Sequence, residues 1–158
     1  MRLIFKQRFF SWLDSYDVYN ERGEICFIVK GQLSFGHCLK IYNAYGQECG
    51  VVKEVVFSLL PRFEIYAGGT LIGSISRRLT FLRAKYDIDF LGWQVDGNFL
   101  EWDYQIQDDR GRVRAIISKQ VFNFTDTYVL DVSDPQDVLY VLMFVIAMDA
   151  EKCSDTNN

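Results

Sequence analysis

The sequence lacks most of the residues on which enzyme sites depend. Its 158 residues include one histidine, His37, and its four cysteines contain no CxxC pair. Nucleophilic catalysis of the Ser-His-Asp or Cys-His type needs that histidine beside a nucleophile, but the adjacent Cys38 would point to the opposite face of a strand. Zinc sites need closely spaced ligands. The sequence therefore predicts no catalytic residue, no metal site and no cofactor.

Phosphate-binding motifs are also absent, and the acidic pairs are weak candidates for catalysis. Gly68-Gly69 matches neither GxGxxG nor GxxxxGK[ST]. Asp87 and Asp89 are two residues apart, as are Glu101 and Asp103, so each pair would share one face of a strand. Apolar residues alternate with the first pair, which places its carboxylates on the solvent side. An enzyme with an unrecognised site remains only a third hypothesis.

Proline and positive charge are both scarce. The chain has two prolines, 49% hydrophobic residues and a net charge of −4, which excludes disorder and any general attraction to nucleic acid. The apolar pieces near the start are interrupted by Lys6, Gln7 and Arg8, so the sequence predicts no signal peptide. We therefore expect a single cytoplasmic domain over residues 1–158, with reduced cysteines.

The sequence does contain one long hydrophobic run, residues 138–148, with eleven apolar residues in succession. Asp134 and Pro135 before it are typical of a helix start. A helix that is apolar on every side is buried on every side, and about 16 Å is too short for a bilayer core of about 30 Å. The sequence predicts a central buried helix over residues 134–151, a frayed tail over 154–158 and no transmembrane segment.

The chain also repeats one hairpin-like pattern four times. Each copy alternates aliphatic and polar residues, crosses a polar turn with glycine, and alternates again. Gly23, Gly46 and Gly111 occupy the same place in three copies, and Gly68-Gly69 makes the other copy one residue tighter. This spacing predicts β-hairpins whose turns need a residue that tolerates positive φ. The copies are residues 16–30, 39–53, 63–77 and 104–119.

Further strand-like runs fill the gaps between these copies, and a hairpin turn is expected at Asp96-Gly97. The pattern gives about twelve short antiparallel strands followed by the apolar helix. A closed sheet has no free edge, but a barrel of twelve strands is too wide for its own side chains to fill. We therefore predict a mainly β (α+β) fold: a closed antiparallel barrel of about twelve strands around a central hydrophobic C-terminal helix.

An ordered series of segments resembles the LURP-one-related (LOR) family, and most closely its small bacterial members. The segments are KQRFFSWLDSYDVYNERGE, LLPRFEIYAGGTLIGSISRR, DIDFLGWQVDGNFLEWDYQI and ISKQVFNFTDTYVLDV, followed by the apolar helix. The resemblance covers essentially the whole chain. It implies a Tubby C-terminal-like fold, shared with Tubby proteins and phospholipid scramblases, with twelve strands closed around a hydrophobic helix. No residue of a Tubby lipid-binding motif carries over.

Two hypotheses for function precede the enzyme. The first is a non-enzymatic binding or scaffold protein of LOR type, with a protein or small-molecule partner that the sequence does not name. The alternative, suggested by the resemblance, is a peripheral protein that binds anionic phospholipid of the phosphoinositide kind. Its basic residues would be Arg77, Arg78, Arg83 and Lys85, around an apolar stretch. Solubilising charge at strand ends is the competing interpretation of these four residues.

Overall fold

The structure is a computed structural model that describes residues 1–6, 15–78, 85–98, 103–122 and 125–156. The described residues form twelve strands and one C-terminal helix. The strands are β1 (Arg2–Lys6), β2 (Ser15–Asn20), β3 (Ile25–Gly31), β4 (Cys38–Asn43), β5 (Glu48–Glu54), β6 (Arg62–Ala67), β7 (Thr70–Arg78), β8 (Lys85–Ile88), β9 (Trp93–Asn98), β10 (Asp103–Gln107), β11 (Val113–Phe122) and β12 (Thr125–Val132).

The strands form a closed barrel in which each strand pairs antiparallel with its neighbours in the sequence. Closure occurs where β1 pairs with both β2 and β12. Alternate side chains point into the barrel because successive residues of a strand face opposite sides. The inward side chains of Val18, Val29, Ile41, Ile65, Ile75, Ile88, Ile106 and Ile117 have no exposed surface. The predicted twelve-stranded closed barrel is confirmed.

Three of the predicted hairpins share one turn structure. Asn20 Oδ1 accepts the N–H groups of Arg22 at 2.9 Å and Glu24 at 3.0 Å. Asn43 and Asp108 accept the equivalent two N–H groups in their own turns. The glycine three residues after each of these side chains has a φ of 78°, 78° or 74°, which L-residues rarely adopt. The sequence repeat therefore encodes a repeated turn.

The Gly68-Gly69 turn is confirmed, whereas the predicted turn at Asp96-Gly97 is wrong. Gly68 and Gly69 have φ values of 56° and 79°. β9 continues through Asp96-Gly97 to Asn98, which pairs with Asp103. A Cβ on Gly97 would lie 2.0 Å from the backbone oxygen of Asp103. Glycine is required there because two strands approach closely, and the local sequence alone does not distinguish this need from a turn.

The C-terminal helix confirms the predicted apolar core of the barrel. A 3₁₀ turn at Pro135–Asp137 leads into α1, Val138–Thr156. Asp134 Oδ1 accepts the N–H of Gln136 at 3.0 Å, which makes Asp134 the N-cap. Residues 141–147 have no exposed surface. The helix continues past its predicted end at residue 151 into the predicted tail, of which residues 157–158 lie outside the description.

The barrel has two different ends because antiparallel strands are joined alternately at one end and the other. The end where α1 begins, after β12, is named the turn end. Its described connections are residues 21–24, 44–47, 68–69, 89–92 and 108–112. The opposite end is named the loop end, and its described connections are residues 32–37 and 55–61. α1 runs toward the loop end, where Glu151 contacts Arg77 near the end of β7.

Candidate functional site

Five large apolar side chains are exposed on the two described connections of the loop end. Their exposed fractions are 84% for Leu33, 76% for Phe35, 42% for Val56, 92% for Phe57 and 104% for Leu59. The rings of Phe35 and Phe57 stack, with centroids 6.0 Å apart and an interplanar angle of 26°. We name these five residues the loop patch. The ring contact of Phe35 with Phe57 joins the apolar side chains of the two loops, and contiguous apolar surface usually marks an interaction site.

The two loops that carry the patch are joined by hydrogen bonds and close packing. Glu54 Oε2 accepts the N–H of His37 at 2.9 Å, and the N–H of Glu54 donates to the oxygen of His37 at 2.8 Å. Gly36 has a φ of 85°, and a Cβ there would lie 2.4 Å from Val56 Cγ2. Glycine at this position lets one loop pack directly on the other, so the two loops that carry the patch support each other.

The half-buried His37 lies just before β4 and has a lowered pKa. Burial lowers the pKa of its imidazole, and the nearby carboxylate of Glu54 opposes that shift. The side chain therefore favours the neutral form at pH 7, since the lowered pKa falls below the ordinary value of 6.5. His37 adds no fixed positive charge to the two loops at neutral pH.

Two exposed cations lie beside the loop patch. Lys53 is the penultimate residue of β5, and Arg62 is the first residue of β6 after the second loop. Within the described part of the chain, neither side chain forms an ion pair. The apolar surface is thus flanked by two cations without a described ion pair, although Lys53 lies opposite Glu64 of β6.

The described residues predicted to bind lipid lie on β7 and β8 and are not part of the loop patch. Arg78 and Lys85 lie opposite each other on β7 and β8. Arg78 forms an ion pair with Asp87, and Lys85 Nζ lies 3.7 Å from Asp96 Oδ2. Arg83, with residues 79–82, lies outside the described residues. Each of these two described cations therefore has an acidic neighbour, which weakens the expected attraction for a second anion.

Arg77, the remaining predicted lipid contact, is tied to the end of the buried helix. Its Nη1 donates to Glu151 Oε1 at 3.0 Å, and the hydroxyl of Tyr86 donates to Glu151 Oε2 at 2.6 Å. Glu151 is only 6% exposed. Burial, and then the hydrogen bond to Glu151, raise the pKa of Tyr86, so this phenol remains a donor. The cluster joins α1 to β7 and β8.

A surface depression of about 330 Å³ lies on the outer face of β9, β10 and β11. Its carboxylates and amides could make hydrogen bonds, but it offers no histidine, cysteine or serine as a nucleophile. It is lined by Asp96, Gly97, Asp103, Tyr104, Gln105, Gln107 and Ile116.

The acidic pair considered in the sequence does not form a joint site. Asp89 accepts the N–H and O–H of Ser74 at 2.7 and 2.8 Å, while Asp87 contacts Arg78. The two carboxylates are thus engaged by separate partners, whereas acid–base catalysis needs both to face one substrate. Glu101 lies outside the described residues. In the described ranges, no three His, Cys, Asp or Glu side chains converge as a metal site would require.

The described part of the chain also contains no helix that is both long and apolar enough to cross a bilayer.

Sequence patterns did not predict the loop patch, although a signal was available. The connecting segments QLSFGH and VVFSLLP contain Phe, Leu and Val where polar turn residues are usual. Such residues look the same in sequence whether they cover the core or face solvent, so their exposure became evident only once both loops were placed side by side.

Comparison with known proteins agrees with this architecture. The chain is 30% identical over 150 residues to a Bacillus subtilis (strain 168) protein named "Uncharacterized protein YxjI", covering 94% of this chain and 92% of the relative. An X-ray structure of an Arabidopsis thaliana protein has the same fold, with a TM-score of 0.62 and 14% identity over 99% of this chain and 91% of that one. The model of the LURP-one-related family matches residues 1–149. The chain belongs to the LURP-one-related family.

Proposed function

We propose that this protein is a non-enzymatic binding module that contacts its partner through the loop patch. The observation that supports the proposal is the exposure of four Phe and Leu side chains of the patch, each at least three-quarters exposed. Burying a large apolar side chain contributes about 1.5–3 kcal/mol. Because the described barrel core is filled by α1 and leaves these side chains exposed, contact with another molecule would gain that energy.

The chemistry of the polar groups supports binding over catalysis. Two acidic side chains near the loop end are used in structure: Glu54 braces the loops and Glu151 anchors the helix. We further propose that the protein acts in the cytoplasm, where the thiols of Cys26, Cys38 and Cys49, all free of disulfides, would remain reduced.

The binding function can be tested with a triple variant of the patch, Phe35→Ser, Phe57→Ser and Leu59→Ser. Molecules that copurify with the wild-type protein, both proteins and lipids, would be quantified after mild purification from cells that contain it. We expect the triple variant to lose the specific copurifying molecules while keeping the circular dichroism spectrum of the barrel. Tyr45→Ser is the matched control because Tyr45 is 90% exposed at the turn end. Retention of every molecule by the triple variant would contradict the proposal.

A second candidate function is peripheral binding of anionic phospholipid, and the free cations beside the patch favour it. Lys53 and Arg62 could meet phosphate groups while the apolar side chains enter the interface, and each cation contributes about 1 kcal/mol. This proposal also includes the four basic residues that the sequence predicts, although the three described ones contact carboxylates. The four are Arg77, Arg78, Arg83 and Lys85.

Vesicle flotation separates these two sets of basic residues. Vesicles with and without phosphoinositide would be mixed with the wild type, with the Lys53→Glu/Arg62→Glu variant and with a variant that reverses Arg78, Arg83 and Lys85. Lipid binding predicts flotation at low salt that falls as salt rises, because the Debye length shrinks from about 10 Å at 0.1 M to 3 Å at 1 M. Absence of wild-type flotation would exclude this second function.

A further inference from the structure

We draw no further inference here: the strongest candidate, the loop patch on the two described connections at the loop end of the barrel, carries none because nothing in the structure shows what covers it.

Discussion

Two adjacent arginines on β7 have different roles because one lies beside the helix end and the other does not. Arg77 donates to Glu151, whose side chain is only 7% exposed, whereas Arg78 contacts Asp87 on the outer surface. A buried carboxylate that loses its cation keeps the cost of desolvation without the compensating attraction. A surface pair remains hydrated on both sides and contributes little.

We therefore predict that Arg77→Ala lowers the free energy of unfolding by about 1–3 kcal/mol. This figure is below the usual cost of breaking a fully buried pair because Arg77 itself is 39% exposed. Arg78→Ala is the matched control, with an expected loss below about 1 kcal/mol. Urea denaturation of both variants measures the difference. Equal effects of the two substitutions would show that Arg77 does not anchor α1.

Gly97 gives a second test at the scale of one residue. Its Cβ position is 2.0 Å from the backbone oxygen of Asp103, which cannot move without disturbing the pairing of β9 with β10. We expect Gly97→Ala to cost about 1–3 kcal/mol, as overpacking does. Gly46→Ala meets no atom within 4 Å and is the comparison for backbone strain alone, at about 1–2 kcal/mol. Wild-type stability of Gly97→Ala in urea denaturation would contradict the observed register.

At the scale of the element, α1 has no exposed surface over residues 141–147 and lies against β5. Gly50 of β5 makes close contact possible, since a Cβ there would lie 2.0 Å from Met143 Cε. The two ends of the helix are held by ion pairs, Arg114 with Asp137 and Arg77 with Glu151. Ion pairs thus hold the helix near both of its ends, and close packing holds it against β5.

Substitution of Leu142 tests the packing of this helix. Leu142 has no exposed surface, so Leu142→Ala should lower the free energy of unfolding by about 2–5 kcal/mol. Leu142→Asp should prevent folding because it places an unpaired charge in an apolar interior. Leu139→Ala, at a partly buried position of the same helix, should cost less. Thermal midpoints of the Leu142 variants within a degree or two of the wild type would place α1 outside the core.

Sequence reasoning succeeded for elements whose structure depends on local chemistry. Asn20, Asn43 and Asp108 with their glycines encode the same turn each time, and the unbroken apolar run encodes a helix buried on all sides. It failed where a residue's role depends on a distant partner. Gly97 is required by the close approach of β10 and not by a turn, and the local sequence does not distinguish the role of Arg77 from that of Arg78. The loop patch likewise required knowledge of which apolar residues the barrel leaves uncovered.

At the scale of the whole molecule, the two ends of the barrel are chemically different. The turn end has tight hairpins closed by Asn and Asp side chains, together with the start of the helix. The loop end carries the exposed patch and, inside, the acidic residues Asp149 and Glu151 near the end of α1. The core alone does not require buried acids at one end, and the buried Asp149 makes the stability of the fold dependent on pH.

Asp149 supplies the predicted pH dependence. It is 9% exposed, and burial raises the pKa of its carboxyl from 3.8 to about 6, with Lys152 opposing the shift. Between about pH 4 and pH 6 the folded chain therefore holds a proton that the unfolded chain has released, so stability falls as pH rises through this window. Above it both states are ionised, and the fold bears a constant penalty of about 3 kcal/mol.

We expect Asp149→Asn to remove this penalty. The variant should be more stable than the wild type by up to about 3 kcal/mol at pH 7–8 and nearly equal to it near pH 4, because the wild-type carboxyl is then protonated as well. Urea denaturation from pH 4 to pH 8 gives the difference in free energy of unfolding at each pH. Asp109→Asn, at an exposed turn position between β10 and β11, is the control for replacing a carboxylate by an amide. A difference for Asp149→Asn that is flat across this range, or one that grows toward acid pH, would show that Asp149 is ionised in the folded protein throughout.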